Sequence, residues 1–276
     1  MHPHTLLVGF AQFEFVTELV LSYCRFRNFR QFQHLICALP RLQVLTIGGL
    51  SSRKAPLPHN VMASQIPPLT HILFYNSDDL PTASTLLKWL SCISSNPTLR
   101  SLYFDLRQGS ISHMGDVLSA VGSSLEHLDL ILDDSGSALD LQQLNVHGCT
   151  ALRKLTLRHT RGISLAGILR AIPSDTRIHE IVIFMTLGNA KGEWECASDI
   201  LEEEQFRALS TFMLTINDRS LTEQEKCHVS DVFDVLRRRG VTRQGWRVLR
   251  SAPTLTINSL LPSTAGLNTM TRLRGQ

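Results

Sequence analysis

A short apolar pattern repeats eight times along the chain, and this repeat constrains the fold more than any other feature. Each copy holds an apolar residue, two variable residues, a second apolar residue, one variable residue and a third apolar residue. The third apolar positions fall at residues 21, 47, 74, 104, 130, 157, 183 and 214, so the steps are 26, 27, 30, 26, 27, 26 and 31 residues. A repeat of this length predicts a solenoid in which each unit packs on its neighbours.

Two periodicities alternate within each unit. Strand geometry directs Leu19 and Leu21 of the first copy to one face and Val20 to the other. The apolar residues from Phe29 to Leu39 then follow helical spacing and stop at a proline. Similar helical segments are expected at residues 86–93, 117–121, 165–172 and 229–236. The unit is therefore a strand, a loop, a helix and a loop.

Parallel strands need a crossover of a dozen or more residues, and a period of 26 to 31 residues leaves about that much. The period also lies in the range of leucine-rich repeats. The predicted fold class is α/β: a leucine-rich-repeat solenoid (horseshoe) with a parallel concave sheet and outer helices, in about eight repeats. We expect residues 1–15 to form a lead-in or partial repeat, residues 16–250 the repeat domain and residues 251–276 a flexible tail. Residues 246–249 could add a final short strand.

Composition excludes several other classes of protein. The chain has 276 residues, of which 43% are hydrophobic and 18% are charged, and it carries a formal net charge of +3. This charge does not favour nucleic acid as the main partner. The six cysteines contain no C-x-x-C pair, which indicates reduced thiols, and no apolar run is long enough for a membrane span. We expect a protein of the cytoplasm or nucleus.

No motif in the sequence predicts catalysis or a cofactor. A G-x-S-x-G turn, a G-x-x-x-x-G-K-[ST] phosphate loop and a G-x-G-x-x-G loop do not occur. His147 lies two residues from Cys149, and Cys227 precedes His228, but neither pair has a second pair nearby to complete a zinc site. We therefore expect no enzyme, no metal, no cofactor and no small-molecule substrate.

The stretch from Val16 to Gly49 resembles the repeat region of the F-box and leucine-rich-repeat-like proteins of mushroom-forming fungi. Its sequence is VTELVLSYCRFRNFRQFQHLICALPRLQVLTIGG. The resemblance implies the substrate-recognition part of a ubiquitin-ligase receptor, in which an F-box of some forty residues precedes the repeats and binds the ligase adaptor. Here the first repeat is already under way at Val16, so the sequence has no room for an F-box before it, and adaptor binding is not expected of these residues.

Aligning the eight copies gives three columns of side chains on the inner face of the predicted sheet. A parallel sheet usually has both faces covered, so a protein partner is expected on the inner face. Aromatic and charged members of the columns are the candidate partner-binding residues; they are Tyr75, Tyr103, Asp105, Asp129, Arg158 and Phe184. The alternative is that these are ordinary solvated residues whose charges pair across strands, or that a partner uses the loops.

The sequence thus predicts a non-enzymatic scaffold for protein–protein interaction. Two alternatives stay open. One is a free-standing inhibitor or regulator of another protein, similar to the repeat proteins that inhibit nucleases, and the other is a truncated fragment without function.

Overall fold

The computed structural model describes ten stretches of the chain. They are residues 13–52, 66–75, 80–92, 98–105, 111–132, 144–161, 165–186, 194–216, 223–241 and 243–248. The predicted tail and most of the predicted lead-in lie outside the described residues.

Strands and helices alternate along most of the described chain. The strands are β1 (Glu18–Ser22), β2 (Arg25–Phe26), β3 (Val44–Gly48), β4 (Ser51–Ser52), β5 (His71–Tyr75), β6 (Ser101–Asp105), β7 (His127–Ile131), β8 (Lys154–Arg161), β9 (Glu180–Thr186), β10 (Thr211–Ile216) and β11 (Arg243–Val248). The helices are α1 (Phe29–Cys37), α2 (Leu80–Ser91), α3 (Ile111–Val121), α4 (Leu165–Ala171), α5 (Trp194–Leu201) and α6 (Glu223–Arg238).

Among the described residues, nine strands form one open sheet in the order β1-β3-β5-β6-β7-β8-β9-β10-β11. All of its pairings are parallel. Each of the eight predicted copies coincides with one of these strands, and β11 is the ninth. The predicted final strand therefore exists, but it spans Arg243–Val248, three residues earlier than expected at its start. The two short strands β2 and β4 pair separately.

One backbone device repeats from strand to strand and holds the register. A single carbonyl just before each strand accepts two consecutive N–H groups from the start of the next strand. Thr17 O accepts from Gln43 N at 2.8 Å and from Val44 N at 2.9 Å, and Gln43 O in turn accepts from the next pair. The same step recurs up to His179, whose carbonyl accepts from Ser210 N at 2.9 Å and from Thr211 N at 3.0 Å. Because the device is the same at all seven steps from β1 to β10, each of these strands is placed by the one before it.

The helices form where apolar residues recur at helical spacing. In α1, Asn28 caps the first turn, since its side chain accepts a hydrogen bond from Gln31 N at 3.1 Å. The side of α1 that carries Phe29 and Phe32 is buried, and both rings meet Trp89 of α2 at centroid distances of 6.2 and 5.7 Å. No predicted segment covers helix α5, although Ala197, Ile200 and Leu201 recur at helical spacing and are buried.

One continuous hydrophobic core joins the helices to one face of the sheet. Leu45, Leu128 and Phe212 from the sheet belong to the same buried cluster as Phe32 and Leu86 from the helices. The described residues thus confirm an α/β fold with an open parallel sheet and helices, compatible with a solenoid-like arrangement. None of the helices in the described residues combines the length and apolar composition needed to cross a membrane.

Candidate protein-binding face

The face of the sheet opposite the hydrophobic core carries the three predicted columns in register. Cα pairing follows the first column from Glu18 through His127 to Thr211 and the second from Val20 through Asp129 to Met213. The third column pairs from Ser22 to Tyr75 and again from Asp105 to Thr215. We call this surface the inner face.

Four of the six candidate residues come together at the centre of the inner face. Arg158 Nε donates to Asp129 Oδ1 at 3.1 Å, and Arg158 Nη2 donates to Asp129 Oδ2 at 2.8 Å. The guanidinium also lies 5.9 Å from the ring centroid of Tyr103 and 5.5 Å from that of Phe184. These four residues come from the consecutive strands β6, β7, β8 and β9, and we call them the central cluster.

The geometry of the central cluster follows from the register. Arg158 is paired with Ile131, so Asp129 is its diagonal neighbour on β7. A diagonal neighbour is roughly 7–8 Å away, which only a long side chain can span. The planar guanidinium then matches a carboxylate with two parallel hydrogen bonds while its faces remain available to aromatic rings.

The ion pair in the central cluster is largely removed from water. The side chain of Arg158 is 10% exposed and that of Asp129 is 24% exposed. Burial raises the pKa of the Asp129 carboxyl, and the hydrogen bonds and charge of Arg158, with the charge of Lys154, offset part of that rise. The cost of desolvation therefore opposes the attraction within the pair. Arg158 is more a positioning residue than a contact surface, because it has little area left to offer.

Tyr75 and Asp105 lie on the same face but contribute differently. The Tyr75 ring lies over Gly48 on the neighbouring strand, so closely that a Cβ atom at Gly48 would be 2.6 Å from the Tyr75 Cε2 atom. Tyr75 is half-buried. Asp105 is only 7% exposed, so it offers little surface to a partner. Three half-exposed apolar residues that the sequence placed in the columns, but did not single out, offer more surface than Asp105; they are Leu73, Val182 and Met213.

Mixed charges at the start of the strands pair with one another. Lys154 Nζ lies 3.0 Å from Glu180 Oε1, and Arg100 forms an ion pair with Glu126. The alternative in which charges of the face pair across strands is thus observed for two pairs, Lys154 with Glu180 and Asp129 with Arg158. Exposed pairs such as those of Lys154 and Arg100 contribute little to stability, on the order of 0–1 kcal/mol.

The described residues provide few groups for other chemistry. They hold no group of three or more His, Cys, Asp or Glu residues placed to bind a metal ion. All six cysteines are free thiols. Burial raises the pKa of the Cys149 thiol to about 12, so this thiol is protonated at neutral pH and unsuited to act as a nucleophile.

Comparison with known proteins assigns no family to the chain. No protein-family model matches it, and a search of curated proteins found no match either.

Proposed function

We propose that the chain is a non-enzymatic scaffold that binds a protein partner on the inner face, at the central cluster. The observation that carries this proposal is the half-exposed pair of aromatic rings, Tyr103 and Phe184, held on either side of a buried guanidinium. A ring fixed in place before binding loses less conformational freedom when a partner closes over it. Aromatic side chains of this kind are frequent anchors of protein interfaces.

The same proposal gives the architecture in finer detail: a leucine-rich-repeat horseshoe of about eight repeats, with the inner face on its concave side. Its support is the 26- to 31-residue period and the two-hydrogen-bond carbonyl step that repeats between neighbouring strands. A helix is wider than the roughly 4.8 Å between strands. Stacking such units would therefore curve the sheet and leave its inner face concave.

The resemblance to fungal F-box proteins extends the proposal to a cellular role and a cellular compartment. On this view, the inner face does what the substrate-recognition part of a ubiquitin-ligase receptor does, in the cytoplasm or nucleus. We expect the described residues to bind the protein partner and not the ligase adaptor, because every candidate contact residue lies on the sheet.

The test is affinity recovery of partners from cells that express the chain, with three variants compared side by side. Proteins that bind the inner face should be recovered by the wild type and by Lys88→Ala, which changes an exposed residue of α2. They should be depleted by Tyr103→Ala and by Phe184→Ala, each by about tenfold or more, since anchor residues contribute roughly 2 kcal/mol or more. Equal recovery by all four proteins would contradict the proposal.

The identity of the recovered protein separates the possible roles. Ligase subunits recovered with the partner would support a receptor, whereas one enzyme recovered alone, with its activity reduced, would support an inhibitor. Circular dichroism of each variant checks that the fold is retained.

A further inference from the structure

Basic side chains gather where the five middle strands of the sheet begin. Each of the strands β5 to β9 has a lysine, an arginine or a histidine at its start. This basic residue is either the last residue before the strand or the first residue of the strand. The corresponding positions of β1, β3 and β10 carry no basic side chain, whereas β11 again begins at a basic residue, Arg243. We call the six residues the basic rim; they are His71, Arg100, His127, Arg153, Lys154 and His179.

The negative charges near the basic rim are already matched. Glu126 pairs with Arg100, and Glu180 pairs with Lys154. Arg153 lies between these two pairs on an exposed position, and no described residue forms an ion pair with it. The rim therefore has an excess of one fixed positive charge, and each protonated histidine adds another.

His127 lies among these charges. Burial, and after it the charge of Lys154, lower the pKa of His127; Glu126 raises it, and His71 and Glu180 have smaller and opposite effects. These are the charged groups that face His127 from its own strand and from β5, β8 and β9. A negative group placed beside His127 would stabilise its protonated form.

We infer that the basic rim binds an acidic segment of the protein partner, so that carboxylates lie along the rim while apolar side chains meet the central cluster. This inference rests on the proposed function of the inner face. The rim and the central cluster share strands β6 to β9, so one partner can reach both. Four strand spacings of roughly 4.8 Å separate His71 from His179, about 19 Å, which about six extended residues span.

The first test uses fluorescein-labelled hexaglutamate and measures its binding to the full chain by fluorescence anisotropy at low salt. Arg153→Glu should weaken binding about fivefold or more, because a reversed charge near a carboxylate is worth about 1 kcal/mol even in water. The matched control is Arg170→Glu, which makes the same charge change on an exposed residue of α4. It should stay within about twofold of the wild type.

Equal weakening by Arg153→Glu and Arg170→Glu would show a general charge effect and overturn the inference, as would tight binding of hexaglutamine. Both substitutions are at exposed positions, so they should leave the circular dichroism spectrum unchanged.

A second test uses His127. Hexaglutamate should bind more tightly at about pH 5.5 than at about pH 7.5, because a carboxylate beside His127 favours its protonated form, which the lower pH populates. His127→Gln should lose part of that gain. A gain that persists unchanged in His127→Gln would contradict the assignment of this histidine to the site.

Recovery of the cellular partner distinguishes failure of the rim from failure of the inner face. A partner depleted by Tyr103→Ala but fully retained by Arg153→Glu would keep the inner face as the binding site and overturn the rim. A partner depleted by both variants, and retained by Arg170→Glu, is the result we expect.

Discussion

The two faces of the main sheet are built by the same strands, but residue type and burial vary far more from strand to strand on the inner face than on the core face. Toward the helices, the seven strands between β1 and β11 in the sheet carry aliphatic or aromatic residues, such as Leu128 and Phe104, that are almost completely buried. On the inner face, exposure varies widely, since Val20 is 56% exposed and Thr156 only 4%, and the residue type changes at every step. The constant face maintains the stack, and this leaves the other face free to vary in chemistry without loss of the fold.

Neighbouring residues on one strand give the largest test of this difference. Phe104 lies on the core side of β6, stacked on Phe74 with ring centroids 4.5 Å apart, whereas Tyr103 lies on the inner face. Phe104→Ala should lower the free energy of unfolding by about 3–5 kcal/mol, since it leaves a cavity in the core. Tyr103→Ala should lower it by about 1 kcal/mol, because the ring is half-exposed and a cation–π contact such as the one with Arg158 is worth about that much.

Urea denaturation followed by circular dichroism measures both variants. Equal losses of stability would show that the inner face is as much a packing surface as the core face, and would remove the distinction between them.

The core face was predictable from sequence because burial selects for apolar residues at a fixed spacing. Leu19, Leu102 and Ile183 each occupy the position that the repeat assigns, and the register places them as expected. Three columns of inner-face residues followed from the same alternation. The pattern therefore predicted where each side chain starts, although it contains no information on how far a side chain reaches.

The reach of long side chains explains what the sequence could not predict. Nothing in the spacing indicates that Arg158 extends diagonally to Asp129 instead of toward solvent, or that Asp105 is buried on a face assigned to solvent. Those outcomes depend on space left by neighbours in three dimensions. An arginine one strand away from an aspartate in the adjacent column is nevertheless a signal that could be sought in other repeats.

The ion pair of the central cluster provides the next test of the difference between the two faces. Its two charged side chains are largely buried, whereas the buried side chains of the core face are apolar. Asp129→Ala should cost about 2 kcal/mol of stability, since it leaves Arg158 largely buried without its carboxylate. This loss of stability is smaller than the roughly 3–5 kcal/mol lost when one partner of a fully buried ion pair is removed, because Asp129 retains some contact with water.

The double variant Asp129→Leu/Arg158→Met should be within about 1 kcal/mol of the wild type, because it removes both desolvated charges together. A double-mutant cycle with Asp129→Leu and Arg158→Met as the single variants, measured by urea denaturation, gives the coupling between the two positions. If the double variant loses as much as the sum of the single variants, the pair is not coupled and the central cluster is not a unit.

The smallest effect, and the most specific, is expected at Gly48, where the inner face is packed by Tyr75. The new Cβ atom in Gly48→Ala would lie 2.6–2.9 Å from three atoms of the Tyr75 ring, so the ring must move. We expect a loss of about 1 kcal/mol, at the lower end for overpacking, because Tyr75 is half-exposed and can shift. In a Tyr75→Ala background the same change should instead stabilise by about 0.5 kcal/mol, since alanine has less conformational freedom to lose than glycine.

The effect of Gly48→Ala on stability should change sign between the two backgrounds only if the Tyr75 ring is held in place over Gly48. Thermal denaturation of the wild type, the two single variants and the double variant measures this effect. Stabilisation by Gly48→Ala in both backgrounds would mean that Tyr75 is not held over Gly48. In that case the order of the inner face would be confined to the central cluster, and a partner would have to immobilise Tyr75 at its own entropic cost.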